Sequence, residues 1–322
     1  MSRVLAAITS DVDTLEAIYK GQGCRRPGGY THVELRMGLE HFQRFLEPYH
    51  AQATLFMVGN DFRHPENHDA IRSVAAAGHE IANHTYSHAQ GFRLLTAGKK
   101  EEELVRMEEW CQKVTGRRPV GFRSPGWNVG DDALPVLLRR GYKYDSSIFP
   151  TVLMPLLKVL HWYSMRSRSG AQRSTMGHLR YMLAPTVPYR TNRHSLGRRG
   201  GDGLIEFPIT VTPLLRFPFY ATFLVSTGMG LFHASRRSLK FFRHPVQFQF
   251  HLSDFVDYSH PDLADQVPED GQGVYVPHAL RMKLEHKLTL FRRVMDELAR
   301  DYHFVTLEAW SNDFNASPKG QI

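Results

Sequence analysis

The sequence predicts an α/β fold built on a parallel sheet. Three observations lead there. Short apolar runs that read as buried strands alternate with helical stretches from the first residues to about residue 147. The helices between them close on glycines, Gly78, Gly116 and Gly141, each shortly before the next strand. The acids and histidines that stand out fall where those strands end, which is where parallel sheets gather their functional groups. The pattern fits a sheet that is open or closed into a barrel.

In order, Arg3–Thr9 is apolar enough for a strand covered on both faces. Residues 15–32, with four glycines and Arg25, Arg26 and Pro27, read as a basic loop. A helix is expected over 33–49, a strand over Ala53–Val58 and a helix over Asp69–Ala77. Glu80–Asn83 is a short strand ending at His84. A charged helix follows over Thr96–Thr115, then a strand over Pro119–Trp127, a helix over Asp131–Arg140 and a strand ending near Ser147. The alternation stops at Pro150. Residues 151–203 are rich in Arg and lack a period, so they read as an inserted loop. Strands resume at Leu204–Thr210 and Val246–His251. Between them Pro213–Phe242 mixes Phe, Leu and Met with Arg and Lys, as either a membrane-surface helix or a helix packed on the sheet. A second insertion covers 254–276, the longest helix 278–302, and a last strand 303–307. No linker divides the chain, so residues 1–322 are expected to form a single domain with two insertions.

Hydrophobic residues make up 42% of the chain, enough for a sizeable core. The two cysteines, Cys24 and Cys111, form no Cys-x-x-Cys pair and suggest reduced thiols, with neither a disulfide framework nor a cysteine metal site. The N-terminus reads as a strand, not a secretory signal, and no run reaches the ~20 apolar residues of a membrane span. A cytoplasmic chain is expected, peripheral on the inner membrane face. The net charge of +8 points to an anionic partner. It does not point to nucleic acid, because the arginines lie in a loop and no recognition module accompanies them.

Two groups carry the chemistry. Asp11 and Asp13, two apart at a strand end, point the same way, so one can bind a cation while the other stays near it as a base. An ordinary polar turn gives the same pattern. His84 and His88 are four apart, and on a helical turn two such imidazoles can converge on a cation such as Zn²⁺. With 18 histidines in the chain, the spacing also arises by chance. The His-Glu-x-x-His protease arrangement is excluded, since His84 stands five positions after His79. One shared rim accounts for all these residues together, and for Arg123, Trp127, Asp145 and His251 as well.

These residues resemble the polysaccharide deacetylase, or NodB-like, family of carbohydrate esterase family four. Five motifs occur in order: Asp11-Val12-Asp13, His84-Thr85-Tyr86-Ser87-His88, Arg123-Ser124-Pro125-Gly126-Trp127, Tyr144-Asp145-Ser146-Ser147 and Phe250-His251-Leu252. Val12 separates two acids that are more often adjacent, which resembles an Asp-x-Asp subgroup. The resemblance implies a distorted (β/α) barrel of about seven strands. It implies a metal-dependent hydrolase that removes an N-acetyl or N-formyl group from an amino sugar. Asp13, His84 and His88 would hold the cation, with Zn²⁺ expected; Asp11 would be the base and His251 the acid. Arg123 would orient Asp11, and Asp145 would orient His251. Pro125, Trp127 and Phe250 would line the substrate. A polyprenyl-phosphate-linked sugar and contact with an anionic membrane fit the basic loop and the Phe-rich segment. A catalytically inactive, carbohydrate-binding relative is the alternative.

Overall fold

Strand β1 organises the sheet because three strands pair with it. The computed structural model describes residues 3–21, 26, 29–165, 176–267 and 278–316. Its strands are β1 (Val4–Val12), β2 (Ala53–Met57), β3 (Glu80–Asn83), β4 (Gly121–Phe122), β5 (Tyr144–Asp145), β6 (Tyr189–Asn192), β7 (Ser195–Arg199), β8 (Ile205–Glu206), β9 (Val246–His251) and β10 (Tyr302–Phe304). Parallel pairing runs β9-β1-β2-β3-β4-β5-β8, a curled sheet of seven strands that forms a half-barrel. Strand β10 joins the start of β1 in parallel, and the β6–β7 hairpin adds antiparallel to β8.

Between β8 and β9 side chains replace a ladder. The Gln247 amide donates to Thr210 Oγ1 at 2.7 Å, and Ser146 Oγ lies 3.0 Å from Gln247 Oε1. The two faces of β9 explain its sequence. Val246, Phe248 and Phe250 join the core between sheet and helices, while Gln247 and Gln249 turn inward with His251 following them. The inner layer is closed at the other end by Ala7, Phe56, Tyr144, Phe207 and Trp310.

Three expectations change. The supposed loop at 15–32 opens with a helix, Leu15–Gly21, whose first amide donates to the buried carboxylate of Glu34. Cys24 lies outside the described residues; Cys111 is a buried free thiol whose pKa burial pushes up to about 11. The first insertion is not a plain loop, because it contains a helix, Met154–Met165, and the β6–β7 hairpin; residues 166–175, with Arg166, Arg168 and Arg173, lie outside the described residues. Of the second insertion, residues 268–276 also lie outside them.

The segment 213–243 is a pair of helices, Ala221–Thr227 and Met229–Phe241, packed on the sheet. Phe219, Leu224 and Phe232 are buried, so the membrane-surface reading of this segment gives way to core packing. Two of its cations are engaged with the helix Leu284–Asp301: Arg236 pairs with Glu297 and Asp301, and Lys240 with Asp301.

Candidate metal centre

Asp13 follows β1, and His84 and His88 follow β3, so all three meet at the carboxyl rim of the sheet. Asp13 Oδ1 lies 3.4 Å from His84 Nε2 and 3.1 Å from His88 Nε2. A tetrahedral Zn²⁺ with bonds of about 2.1 Å spaces its ligand atoms roughly 3.4 Å apart. Asp13 Oδ1 and both Nε2 atoms are buried and lack a hydrogen-bond partner. Three orphaned polar atoms aimed at one point would be costly without something to bind there. His84 Nδ1 sits 2.8 Å from the carbonyl of Arg123 and must donate to it, which leaves the Nε2 lone pair facing Asp13. The residues therefore fit a divalent cation.

Electrostatics agree with the donor set. Burial alone would push the Asp13 carboxyl up, but His88 and His84 overcome it and hold it well below the usual carboxylate range. Burial opposes protonation of His84, yet Asp11 and Asp13 raise its proton affinity. A cation would take the place of that proton.

The histidine pair is not presented by a helix. Thr85 and His88 both adopt left-handed backbone, with φ of 64° and 55°. A β-branched residue in that region is strained by about 1–3 kcal/mol and must be held there by its surroundings. The Gly59 and Asn60 amides donate to the carbonyls of Thr85 and Tyr86, and Glu103 accepts from both Ser87 N and Ser87 Oγ. Gly59 is required at that approach, since a Cβ there would come within 3.0 Å of the Tyr86 backbone.

Behind the cluster lies a buried ion pair. Arg123 Nη1 is 2.5 Å from Asp11 Oδ1, and Gln249 Nε2 donates to Asp11 Oδ2 at 2.7 Å. Arg123 is fully buried, stacks over Phe56 and donates to the carbonyl and hydroxyl of Ser146. Asp11 pairs in register with His251 across β1 and β9, which sets the two side by side at the rim. His251 Nδ1 lies 3.2 Å from Thr222 Oγ1, and its backbone amide donates to Asp254.

Two expected roles do not match the contacts. Asp145 does not orient His251; it accepts from Ser147 and pairs with Glu206, two fully buried carboxyl groups. Burial raises Asp145 to about 6 and raises Glu206 well above its ordinary value, which favours one proton shared by the two carboxyls. Phe250 is no wall of the site, because it packs among Phe45, Phe248, Phe255 and Phe291 on the outer side of the sheet. Pro125 and Trp127 form a tight buried turn, and the indole packs at an angle against Phe149 and edge-on to Tyr220 with its Nε1–H buried and unpartnered. Sequence reasoning missed Gln249 and Thr222. The alternation Gln247, Gln249, His251 was a usable signal for the first; only the fold brings Thr222 there.

Residues 36–144, the stretch that holds both histidines and Arg123, match the family model for polysaccharide deacetylase. Over this third of its length the chain is similar to the polysaccharide deacetylase family. The match does not extend to Asp11, Asp13 or His251, which the fold brings to the same rim. Curated relatives include a peptidoglycan deacetylase of Helicobacter pylori, 29% identical over 37% of the chain and 40% of that protein. A peptidoglycan-N-acetylglucosamine deacetylase of Bacillus cereus is 32% identical over 30% of the chain and 44% of that protein. The chain thus spans less than half the length of these relatives. Among solved structures, one from Mycobacterium smegmatis, assigned as a polysaccharide deacetylase, covers 100% of the chain and 95% of its own with a TM-score of 0.61 at 18% identity. Puue allantoinase gives 0.58 at 12% identity, over 98% of the chain and 91% of its own. Both likenesses concern the fold.

Proposed function

We propose that this chain is a single-domain, metal-dependent amide hydrolase that removes an N-acetyl or N-formyl group from an amino sugar. The observation that carries the proposal is the convergence of three unpartnered ligand atoms from Asp13, His84 and His88 beside the Asp11–Arg123 pair. The donor set favours Zn²⁺, which when bound would lower the pKa of a water molecule and polarise the amide carbonyl. Asp11 takes the proton from the attacking water. Arg123 and Gln249 hold both its oxygens, so it is fixed in orientation. His251, its neighbour across the sheet, gives a proton to the departing amine. Thr222 and Asp254 set the position of that imidazole and its backbone. The Trp127 turn offers an apolar wall at the rim for the sugar.

The acceptor is a phosphate-bearing, lipid-linked sugar at an anionic membrane face. Arg93, Lys158, His178 and Arg180 cluster near Asp131 on the Trp127 side of the rim, where a phosphate would be neutralised. The test couples metal content to turnover. Wild-type protein should hold one equivalent of zinc and release acetate or formate from N-acylated amino sugars, and His84→Ala should lose the metal while keeping the fold. Full metal content in His84→Ala would remove the proposed centre.

A further inference from the structure

The helix Met154–Met165 is apolar on both sides. Its inner side, through Met154 and Leu157, packs on Trp127, Phe149 and Tyr220 at the rim of the site. Its outer side carries Leu156, Val159 and Leu160, at helical spacings of three and four, each more than half exposed, with Trp162 beside them. A helix that is apolar all round is normally buried all round.

A second cluster continues this face. The Arg216 guanidinium donates to the carbonyls of Pro150, Met182 and Ala184, and its own carbonyl accepts from Thr151. That knot brings the turn around Arg216, the segment at 182–184 and the approach to the helix together. Leu183, Leu214 and Leu215, which border those residues, are 78%, 73% and 63% exposed. Apolar side chains gathered in this way exceed the scattered exposure of an ordinary soluble surface.

Two cations stand on the other side of the helix, beside the rim. Lys158, one turn after Met154 on the inner side, lies close to Arg93, and among the described residues neither pairs with a carboxylate. Burial, with Arg93 beside it, pushes the Lys158 ammonium below its ordinary value. We infer that the outer side of the helix Met154–Met165 and the leucines around Arg216 form a membrane-docking face that seats the active-site rim on a bilayer with anionic headgroups. The inference rests on the lipid-linked reading above and names the surface that serves it. Apolar side chains enter the interface while Lys158 and Arg93 meet the headgroups.

Vesicle flotation tests this with the full chain. Wild type should float with phosphatidylglycerol-containing vesicles at low salt, release at high salt and ignore pure phosphatidylcholine. The double variant Leu156→Glu/Leu160→Glu should bind at least tenfold less, with unchanged zinc content and unchanged turnover of a soluble sugar. A control, Phe241→Glu/Phe242→Glu, alters exposed aromatics elsewhere and should bind as wild type does. Equal binding by wild type and the helix variant overturns this face but leaves membrane contact standing. No binding by wild type overturns both, whatever the soluble turnover. A wild-type dimer that the helix variant makes monomeric, without vesicle binding, assigns the face to self-association instead.

Discussion

Asp11 shows how a single residue is specialised by its partners. Its carboxylate is buried, yet Arg123 and Gln249 occupy both oxygens, so the charge is compensated and the orientation fixed. Asp11→Asn keeps the shape but cannot take a proton. Turnover should fall by about 10² or more while zinc stays bound, since Asp13, His84 and His88 are untouched. Near-normal turnover in that variant would rule out Asp11 as the base. The Asp145–Glu206 pair gives a prediction of a different kind. Asp145 ionises near 6 in the fold against 3.8 ordinarily, chiefly because it is buried. Its contribution to stability is complete below about pH 4 and is lost as pH rises through about 6. Glu206, raised further, extends that loss to higher pH. Glu206→Gln should therefore gain stability at pH 8 relative to pH 5 when compared with wild type. Denaturant midpoints at the two pH values decide it, and parallel shifts would contradict the shared-proton pair.

At the scale of elements, β9 separates two jobs by alternation. Its inward residues serve the site, and its outward phenyl rings bind the sheet to the helices Val33–Leu46 and Leu284–Asp301. Phe250→Ala should cost about 3–5 kcal/mol of stability, the usual loss for a buried phenyl ring, with the zinc content of the folded protein unchanged. Chemical denaturation measures the first and metal analysis the second. A substrate wall would show the reverse: little stability lost and a raised KM. The loop from β3 to His88 is the other instructive element. Its strained backbone at Thr85 and His88 is held by Gly59, Asn60 and Glu103, so the ligand spacing belongs to a braced loop and not to a helical face.

At the scale of the whole molecule, the metal centre joins parts far apart in the chain. Asp13 comes from the end of β1 and the histidines from beyond β3, so the site exists only when the sheet is assembled. A cation that binds only the folded chain stabilises it, by about 2.7 kcal/mol at a free concentration 100 times its dissociation constant. Zinc should raise the Tm of wild type by several degrees, EDTA should reverse the shift, and His84→Ala should show neither effect. A metal-independent Tm would mean that the three residues hold no ion.

Much of this was legible in the sequence, for physical reasons. Strand–helix alternation and glycine helix ends are local signals, and they sufficed for a parallel sheet with Asp11, Asp13, His84, His88, Arg123 and His251 at strand ends. The pairing of Arg123 with Asp11 was expected from the family resemblance and found at 2.5 Å. Period-two patterns do not say which face of a strand is inward, so Phe250 was read into the site and Gln249 was overlooked. Nor does composition distinguish buried from exposed apolar residues. The Phe-rich segment at 213–243 went largely into the core, and exposed apolar side chains gathered at Leu214 and Leu215 and on a helix of the insertion that had shown no period. The partner of Asp145 is likewise Glu206 and not His251, because β5 lies beside β8 in the sheet. Residue types and spacing determined the chemistry this chain can attempt. Only the packing of the sheet decided which side chains face it, because contact between distant residues is not a local property of the chain.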